Sequence, residues 1–240
     1  MVIFLATGSF GISEAVSQRR DNRYVEELAQ NITRQSNARD AISTIIALRD
    51  YLRHNVTRDN YPVVGRPFLR DTAAYALQTG KGRCGESTRA FINMAESVGI
   101  RAQRLYLEGQ REHVVALVTL NDGRQLIVDS IDPPYFQNIE ELHQVTRHPE
   151  FKYYSSINLH RLFKSPSLPA NTYEPPGLTY FLENPHALKE LFYFSLSGTC
   201  AALLALGFAR RYFRARGAAT DSAGPSVLRH PAPALATVDQ

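Results

Sequence analysis

The feature that most constrains the fold is an uncharged run of 19 residues near the end of the chain, 191–209 (LFYFSLSGTCAALLALGFA). As a helix with a rise of about 1.5 Å per residue, it would extend about 28 Å, which matches the hydrocarbon core of a bilayer. A buried core helix is the alternative, because Ser195, Ser197 and Thr199 would be tolerated there. Such a helix rarely lacks a polar face over five turns. The sequence therefore favours a transmembrane helix over 191–209.

The charge distribution supports a membrane orientation and argues against nucleic-acid binding. The last 31 residues, 210–240, contain five Arg and two Asp, so they supply +3 of the net charge of +4. Residues 1–209 are nearly neutral, which is not typical of a nucleic-acid-binding domain. Arg clusters mark the cytoplasmic ends of spanning helices. We therefore expect a protein of the cell membrane with its main domain extracytoplasmic and residues 210–240 cytoplasmic, basic at first and then disordered.

The regions on either side of the main domain differ in composition from it. Residues 1–21 begin with an apolar stretch that fits a truncated export signal, a first membrane segment or an apolar strand. We favour the export signal, because an extracytoplasmic domain needs one. Residues 22–165 form the predicted domain. Residues 166–190, in which five prolines fall, are predicted to be an extended connection to the membrane helix.

Within the domain, the hydrophobic periodicity predicts helices followed by strands. The helices are expected at 22–31, 38–54, 71–77 and 86–98, with a loop around Pro62, Gly65 and Pro67. The strands are expected at 101–108, 112–120 and 124–130. Residues 114–120 are almost entirely apolar, which indicates a strand covered on both faces.

The two cysteines, Cys84 and Cys200, lie in different environments and are not expected to form a disulfide. Cys84 is part of a polar, Gly-rich turn, whereas Cys200 is in the middle of the apolar run. A structural zinc site at Cys84 is excluded, because no second Cys or His stands two to four residues away. We expect no metal and no cofactor.

Three residues in chain order suggest nucleophilic catalysis. Cys84 precedes a predicted helix, whose N-terminal N–H groups and dipole would lower the thiol pKa and favour the thiolate. His113 opens a strand and could serve as the partner base. Asp129 closes the next strand and could orient the imidazole. Gly82 and Gly85 on either side of the cysteine would let a substrate backbone approach closely.

The turn between the last two strands allows a test of this constellation. The sequence 121–123, Asn-Asp-Gly, is typical of a three-residue hairpin loop with Gly at the left-handed position. Leu120 would then pair with Arg124, and paired residue numbers would add up to 244. In this register Asp129 lies opposite Val115.

His113 and Asp129 would therefore share one face of the sheet. Diagonal neighbours of this kind are about 7–8 Å apart, within reach of a His–Asp hydrogen bond. A two-residue loop would shift the register by one and turn Asp129 to the other face, so that Asp132 would stand opposite His113 instead. The turn sequence favours Asp129.

Several of these residues resemble the transglutaminase-like superfamily. The resemblance extends over residues 71–134 and includes the turn and helix start 80–88 (GKGRCGEST), the helix end 98–102 (VGIRA), His113 and the segment 128–130 (VDS). It implies an α+β, papain-like fold in which the catalytic Cys helix packs on an antiparallel sheet. The chain departs from the usual pattern in lacking Trp, which often comes after the His, and in having Asp129-Ser130-Ile131 where Asp-Pro-Thr is usual.

The resemblance also implies a chemistry. The thiolate would attack a carboxamide or peptide carbonyl, backbone N–H groups would stabilise the oxyanion, and an amine or water would resolve the acyl-enzyme. Family members include cross-linking transglutaminases, peptidases and deamidases. We therefore predict a membrane-anchored, extracytoplasmic cysteine acyltransferase or amide hydrolase acting on peptides or proteins. The alternative is a catalytically silent binding or assembly module of the same fold.

Overall fold

Helices occupy the first part of the chain in the computed structural model, which describes residues 2–59, 70–109, 113–147, 154–158 and 178–221. The helices before the sheet are α1 (Val2–Gln35), α2 (Ala41–Asn55), α3 (Ala73–Thr79) and α4 (Cys84–Ser97). Two short strands pair in parallel: β1 (Thr57–Arg58), which follows α2, and β2 (Lys81–Gly82), which lies between α3 and α4. Asp40 caps α2 by accepting a hydrogen bond from the Ser43 N–H at 2.8 Å, which explains where that helix begins.

The sheet has five antiparallel strands in the order β6-β5-β4-β3-β7. Its strands are β3 (Arg101–Gly109), β4 (His113–Thr119), β5 (Gln125–Val128), β6 (Glu140–Glu141) and β7 (Tyr154–Asn158), with a 3-10 helix (Leu142–Arg147) between the last two. The β4–β5 turn has the predicted length, because Gly123 has a positive φ of 86° and Ala116 pairs with Val128. The predicted register is therefore confirmed.

Both faces of the central strand β4 are buried, as its apolar sequence predicts. On one face Ala116 and Val118 join a core formed with α1, α2 and α4. Side chains from these helices that are fully or almost fully buried include Val25, Ala29, Ile45, Leu48, Leu52, Phe91, Ile92 and Met94. On the other face Val115 and Leu117 pack against Phe136 from the loop after β5. The helix α4 thus packs on the centre of the antiparallel sheet.

The structure corrects the predicted extended connection over residues 166–190. Residues 159–177 lie outside the described part, but 178–190 are helical: α5 covers Leu178–Glu183 and α6 begins at Pro185 and extends to Asp221. Pro185 starts a helix because the first helical position needs no N–H donor. The first backbone hydrogen bond runs from Leu188 to the Asn184 carbonyl at 3.1 Å. The predicted loop at 60–69 and the tail 222–240 also lie outside the described residues.

The N-terminal segment is helical, so its interpretation as an apolar strand is wrong. Residues 2–21 and the helix predicted at 22–31 form the single helix α1, whose second half joins the domain core. Elsewhere the predicted helix and strand ends differ from the observed ones by at most three residues, as expected for frayed termini.

The first half of α1 packs antiparallel against α6. Gly11 lies against the Phe194 ring, which a Cβ atom would approach to 2.9 Å, and Gly8 lies beside Ser197. The Ser197 hydroxyl donates to the Phe4 carbonyl at 3.2 Å. Small residues at these two positions therefore permit close contact between the helices.

Polar contacts continue this helix pair toward the domain. His186 hydrogen-bonds to Glu14, and Gln18 donates to the Asn184 side chain at 2.9 Å. Beyond the region covered by α1, the apolar side chains of α6 are exposed, for example Leu203 and Phe208. Among the described residues, one helical stretch, Pro185–Arg214, is long and apolar enough to cross a membrane, with a mean hydropathy of 1.7.

Candidate active site

Cys84 is the first residue of α4. The residue before it, Arg83, is extended (φ −99°, ψ 179°), and its N–H donates to Glu86 Oε2 at 3.2 Å. The first helical backbone bond runs from the Ser87 N–H to the Arg83 carbonyl at 2.9 Å. The N–H groups of Cys84 and Gly85 therefore precede the helical hydrogen bonds and carry the partial positive charge of a helix start. This environment favours negative charge at the cysteine and at a neighbouring oxyanion.

His113 is the first residue of β4 and is almost completely buried, with 2% of its surface exposed. Its Nε2 lies 2.9 Å from Asp129 Oδ2. The Cys84 side chain faces the same imidazole and the Val114 N–H, and both lower the pKa of its thiol. Because Nε2 faces Asp129, Nδ1 is the ring nitrogen available to Cys84.

Asp129 comes directly after β5 and is buried, with 1% of its surface exposed. Besides His113, its Oδ2 accepts hydrogen bonds from the N–H groups of Tyr135 at 2.8 Å and Phe136 at 3.2 Å. Asp132, which a shifted register would have brought to the histidine, is exposed and forms a backbone bridge with Thr57. The structure thus brings the three predicted residues Cys84, His113 and Asp129 together and leaves Asp132 outside.

The pKa values of the cysteine and histidine are shifted in opposite directions. Burial lowers the pKa of His113, but the charge and hydrogen bond of Asp129 outweigh it and raise the value to about 9. Burial raises the pKa of the Cys84 thiol, and the nearby Glu86 carboxylate raises it further. His113 and the Val114 N–H outweigh both and bring the pKa below its ordinary value. Both shifts favour a thiolate–imidazolium pair.

Two hydroxyl side chains of α4 dock the cysteine helix onto the β4–β5 hairpin. The Ser87 hydroxyl donates to the Ser130 carbonyl at 2.7 Å, next to Asp129, and the Thr88 hydroxyl donates to the Val114 carbonyl at 3.0 Å, next to His113. Since they stand three and four residues after the cysteine, they lie on its face of the helix. They hold the start of the helix, and with it Cys84, against the strands that carry His113 and Asp129.

Arg53 of α2 holds the loop that carries Asp129, a contact that the sequence did not predict. Its guanidinium donates to the backbone carbonyls of Asp129 at 2.7 and 3.0 Å, of Phe136 at 2.7 Å and of Gln137 at 3.0 Å. A planar group with five donors suits such a cluster of carbonyls. No sequence pattern marks Arg53, because its partners lie more than 70 residues away.

Tyr135 provides an aromatic contact to the histidine from the same loop. Its ring stands edge-on to the His113 ring with centroids 4.5 Å apart. The family resemblance suggested an aromatic residue shortly after the histidine, where this chain has Val114 and Val115. The structure instead places an aromatic ring beside the imidazole from a distant position in the sequence.

The two glycines beside Cys84 have a different role from the one predicted. A Cβ atom on Gly82 would lie 3.1 Å from the Glu86 Cβ, and one on Gly85 would lie 3.3 Å from Arg104 Nη1. The space beside each glycine is therefore filled by the protein's own side chains. The interpretation that both make room for a substrate backbone is corrected accordingly.

The described residues contain no cluster of three His, Cys, Asp or Glu side chains that could hold a metal ion. Cys84 and Cys200 are both free thiols, as predicted from their different environments. The Cys84–His113–Asp129 arrangement combines a thiol, an imidazole and a carboxylate, the side-chain types from which a nucleophile, a proton carrier and an orienting group can be built.

Residues 26–130 match the family model of the transglutaminase-like superfamily. The match confirms the family resemblance of the sequence and extends it toward the N-terminus. With the cysteine helix packed on an antiparallel sheet, the predicted α+β, transglutaminase-like fold is confirmed. A comparison with curated proteins finds no match.

Three solved structures are similar over about half of this chain. A proposed cysteine protease from Cytophaga hutchinsonii has 16% identity and a TM-score of 0.37, and the match covers 50% of this chain and 43% of that one. A proposed protease from Parabacteroides distasonis has 14% identity and a TM-score of 0.38, with 52% of this chain and 27% of that one covered. A TGase has 16% identity and a TM-score of 0.37, with 50% of this chain and 33% of that one covered. The present chain spans less than half of the length of each.

Proposed function

We propose that this transglutaminase-like region is the catalytic domain of a cysteine enzyme that forms a thioester acyl-enzyme on peptide or protein amides. The observation that carries the proposal is the continuous contact from Cys84 through His113 to Asp129, at the N-terminus of a helix. A thiol held in this way is a nucleophile near neutral pH. Transglutaminase, peptidase and deamidase reactions share the formation of this thioester and differ in the leaving group and in the group that resolves it.

In the first half-reaction the Cys84 thiolate attacks the amide carbonyl carbon. The N–H groups at the start of α4 are donors for the oxygen that becomes negative. The His113 imidazolium then gives its proton to the departing nitrogen, so that an amine or ammonia leaves and a thioester remains on Cys84. Asp129 holds the imidazole in place throughout and favours its charged form.

In the second half-reaction water or an amine attacks the thioester. Neutral His113 accepts the proton of the attacking group, the carbonyl re-forms, and the Cys84 sulfur leaves as the thiolate beside the imidazolium. The products are an acid when water attacks and a new amide when an amine attacks. The site returns to its starting charge state in both cases.

We also propose that α6 crosses a membrane with the catalytic domain on the extracytoplasmic side. The uncharged run 191–209, the exposed apolar side chains of α6 and the three arginines Arg210, Arg211 and Arg214 beyond the run support this orientation. The protein should remain in the membrane fraction after high-salt and carbonate washes. A protein that becomes soluble without detergent would show that α6 is not an anchor.

The test of the chemistry uses the full-length protein in detergent and a library of acyl-donor peptides, with and without a primary amine. Mass spectrometry distinguishes hydrolysis from amine incorporation. Cys84→Ala should abolish both products, whereas the matched variant Cys200→Ala should retain them.

A second measurement separates the enzyme from a silent module. In the Cys200→Ala protein, iodoacetamide should alkylate Cys84 at neutral pH much faster than free cysteine. Alkylation no faster than free cysteine, together with no product from any peptide, would favour a silent binding or assembly module.

A further inference from the structure

A buried ionic cluster lies behind the cysteine helix. It consists of Arg89 of α4, Arg104 of β3 and Glu183 at the end of α5, which are 2%, 8% and 1% exposed. The Arg104 guanidinium binds both Glu183 oxygens, with Nε donating to Oε1 at 2.6 Å. Arg89 Nε lies 3.5 Å from Glu183 Oε2. Burial raises the pKa of Glu183, but the Arg104 charge outweighs it and keeps the carboxyl ionised.

The same guanidinium contacts the start of the cysteine helix. Arg104 Nη2 donates to the Gly85 carbonyl at 2.9 Å, and Nη1 lies 3.3 Å from where a Cβ of Gly85 would be. Gly85 is the residue directly after Cys84 in the chain. Because the guanidinium is planar, it cannot turn without losing its contacts with either the Glu183 carboxylate or the Gly85 carbonyl. The position of the first turn of α4 is thus tied to the position of Glu183.

Glu183 is necessary for this arrangement, because a buried guanidinium without a counter-ion is strongly unfavourable. Without its carboxylate, Arg104 and Arg89 would be two neighbouring buried cations. Glu183 is itself held by a hydrogen bond from the Asn93 side chain to its carbonyl at 3.2 Å. It also stands two residues before α6 begins, so the residues that precede the apolar helix take part in the packing of α4.

We propose that Arg104 and Glu183 are positioning residues for the nucleophile, a role that rests on the proposed function. Through the Gly85 carbonyl they fix the first turn of α4, so that the Cys84 sulfur stays in hydrogen-bonding contact with His113. The charged side chains that face the sulfur, His113 and Glu86, are left unchanged by substitutions in the ionic cluster.

The test compares variants of the full-length protein in the Cys200→Ala background. The double variant Arg104→Met, Glu183→Gln removes the Arg104–Glu183 ion pair and the contact with Gly85. Because Arg89 loses its carboxylate partner in this variant, its folding is measured first by circular dichroism. The measurement is the rate of Cys84 alkylation by iodoacetamide as a function of pH. We expect the midpoint to rise by about one pH unit toward that of an ordinary thiol. The kcat should fall roughly tenfold with little change in KM.

Arg104→Lys is the second variant. Its ammonium keeps the charge but cannot bind both Glu183 and Gly85, so an intermediate midpoint is expected. Arg124→Met, at an exposed position in the β4–β5 turn, is the control and should match the parent. A folded double variant with the parent's alkylation profile would overturn the proposal. If the double variant does not fold, a parental midpoint in Arg104→Lys overturns it.

The alkylation profile also distinguishes this proposal from the proposed function. A parent protein that forms no product from any peptide would refute the enzyme, whereas the midpoint of Cys84 alkylation would still report whether the ionic cluster positions the thiol.

Discussion

Replacing Asp129 by Asn should weaken the proposed thiolate–imidazolium pair of Cys84 and His113 without disturbing the fold. The N–H groups of Tyr135 and Phe136 both point at Oδ2, so the amide oxygen of the new side chain should occupy that position. It can then still accept the hydrogen bond from His113 Nε2. The amide nitrogen would take the place of Oδ1, where the Ile131 N–H is 3.5 Å away and little is lost.

The expected magnitude can be worked out from the electrostatic role of the carboxylate. Burial lowers the pKa of His113, but Asp129 outweighs it and is the main reason why the pKa rises from 6.5 to about 9. This rise corresponds to about 3 kcal/mol, at about 1.4 kcal/mol per pH unit. Part of it comes from Cys84, so we expect the thiolate–imidazolium pair to lose about 2–3 kcal/mol, a population change of roughly 30- to 150-fold.

The assay is the alkylation rate of Cys84 at pH 7 together with the pH profile of acyl transfer. In Asp129→Asn the rate should fall by a factor close to that population change, and the alkaline limb of the profile should move to lower pH. The melting temperature should change by no more than about 5 °C, because the three hydrogen bonds made by Oδ2 are retained and only the long contact with the Ile131 N–H is lost.

Asp132→Asn is the matched control, since that side chain is exposed and does not face His113. It should behave like the parent in both assays. A normal Asp129→Asn protein alongside an impaired Asp132→Asn protein would refute the register and the electrostatic reasoning together.

Three further predictions concern the pH range, the loop and the helix pair. Acyl transfer should decline above about pH 9, because the imidazolium of His113, with its raised pKa, loses its proton there; a profile that stays flat to pH 10.5 would contradict this. Arg53→Ala should lower the free energy of unfolding by about 2–4 kcal/mol, since three carbonyls lose their donor, whereas the exposed Arg124→Ala should leave it nearly unchanged in urea titrations. Gly11→Leu should lower the melting temperature in detergent, because the Phe194 ring must move. At Gly207 a new Cβ would have no neighbouring side chain within 4 Å, so Gly207→Leu should leave the melting temperature unchanged. Equal decreases in melting temperature for the two variants would argue against the α1–α6 contact.

The parts of the site that are determined locally could be predicted from the sequence. The Gly-rich turn before Cys84 and the Asn-Asp-Gly hairpin each depend on a few consecutive residues. The hairpin fixes the register, and the register brings Asp129 to His113. Short-range turn geometry and the two-residue period of a strand were sufficient for this contact.

The supporting contacts could not be predicted, because they join residues far apart in the chain. Arg53 and Arg104 look like ordinary surface residues in their sequence context, since an amphipathic pattern does not distinguish a buried, paired arginine from a solvated one. The sequence predicts an extended connection around Glu183, because prolines lie on both sides of it. Its burial depends on a partner 79 residues away, which no local pattern records.

The packing of α1 against α6 has a consequence for how the chain acquires its structure during synthesis. Gly11 leaves the ribosome about 180 residues before its partner Phe194, which emerges only after almost the whole domain has been made. At about 5–20 residues per second this delay is on the order of ten seconds or more. The β3–β4–β5 meander, whose contacts are local, can form well within that time. The apolar half of α1, in which Phe10 and Ile12 are exposed even when the helix pair is formed, therefore spends this time without the cover of α6, and a membrane surface or a chaperone is the kind of partner that could bind it.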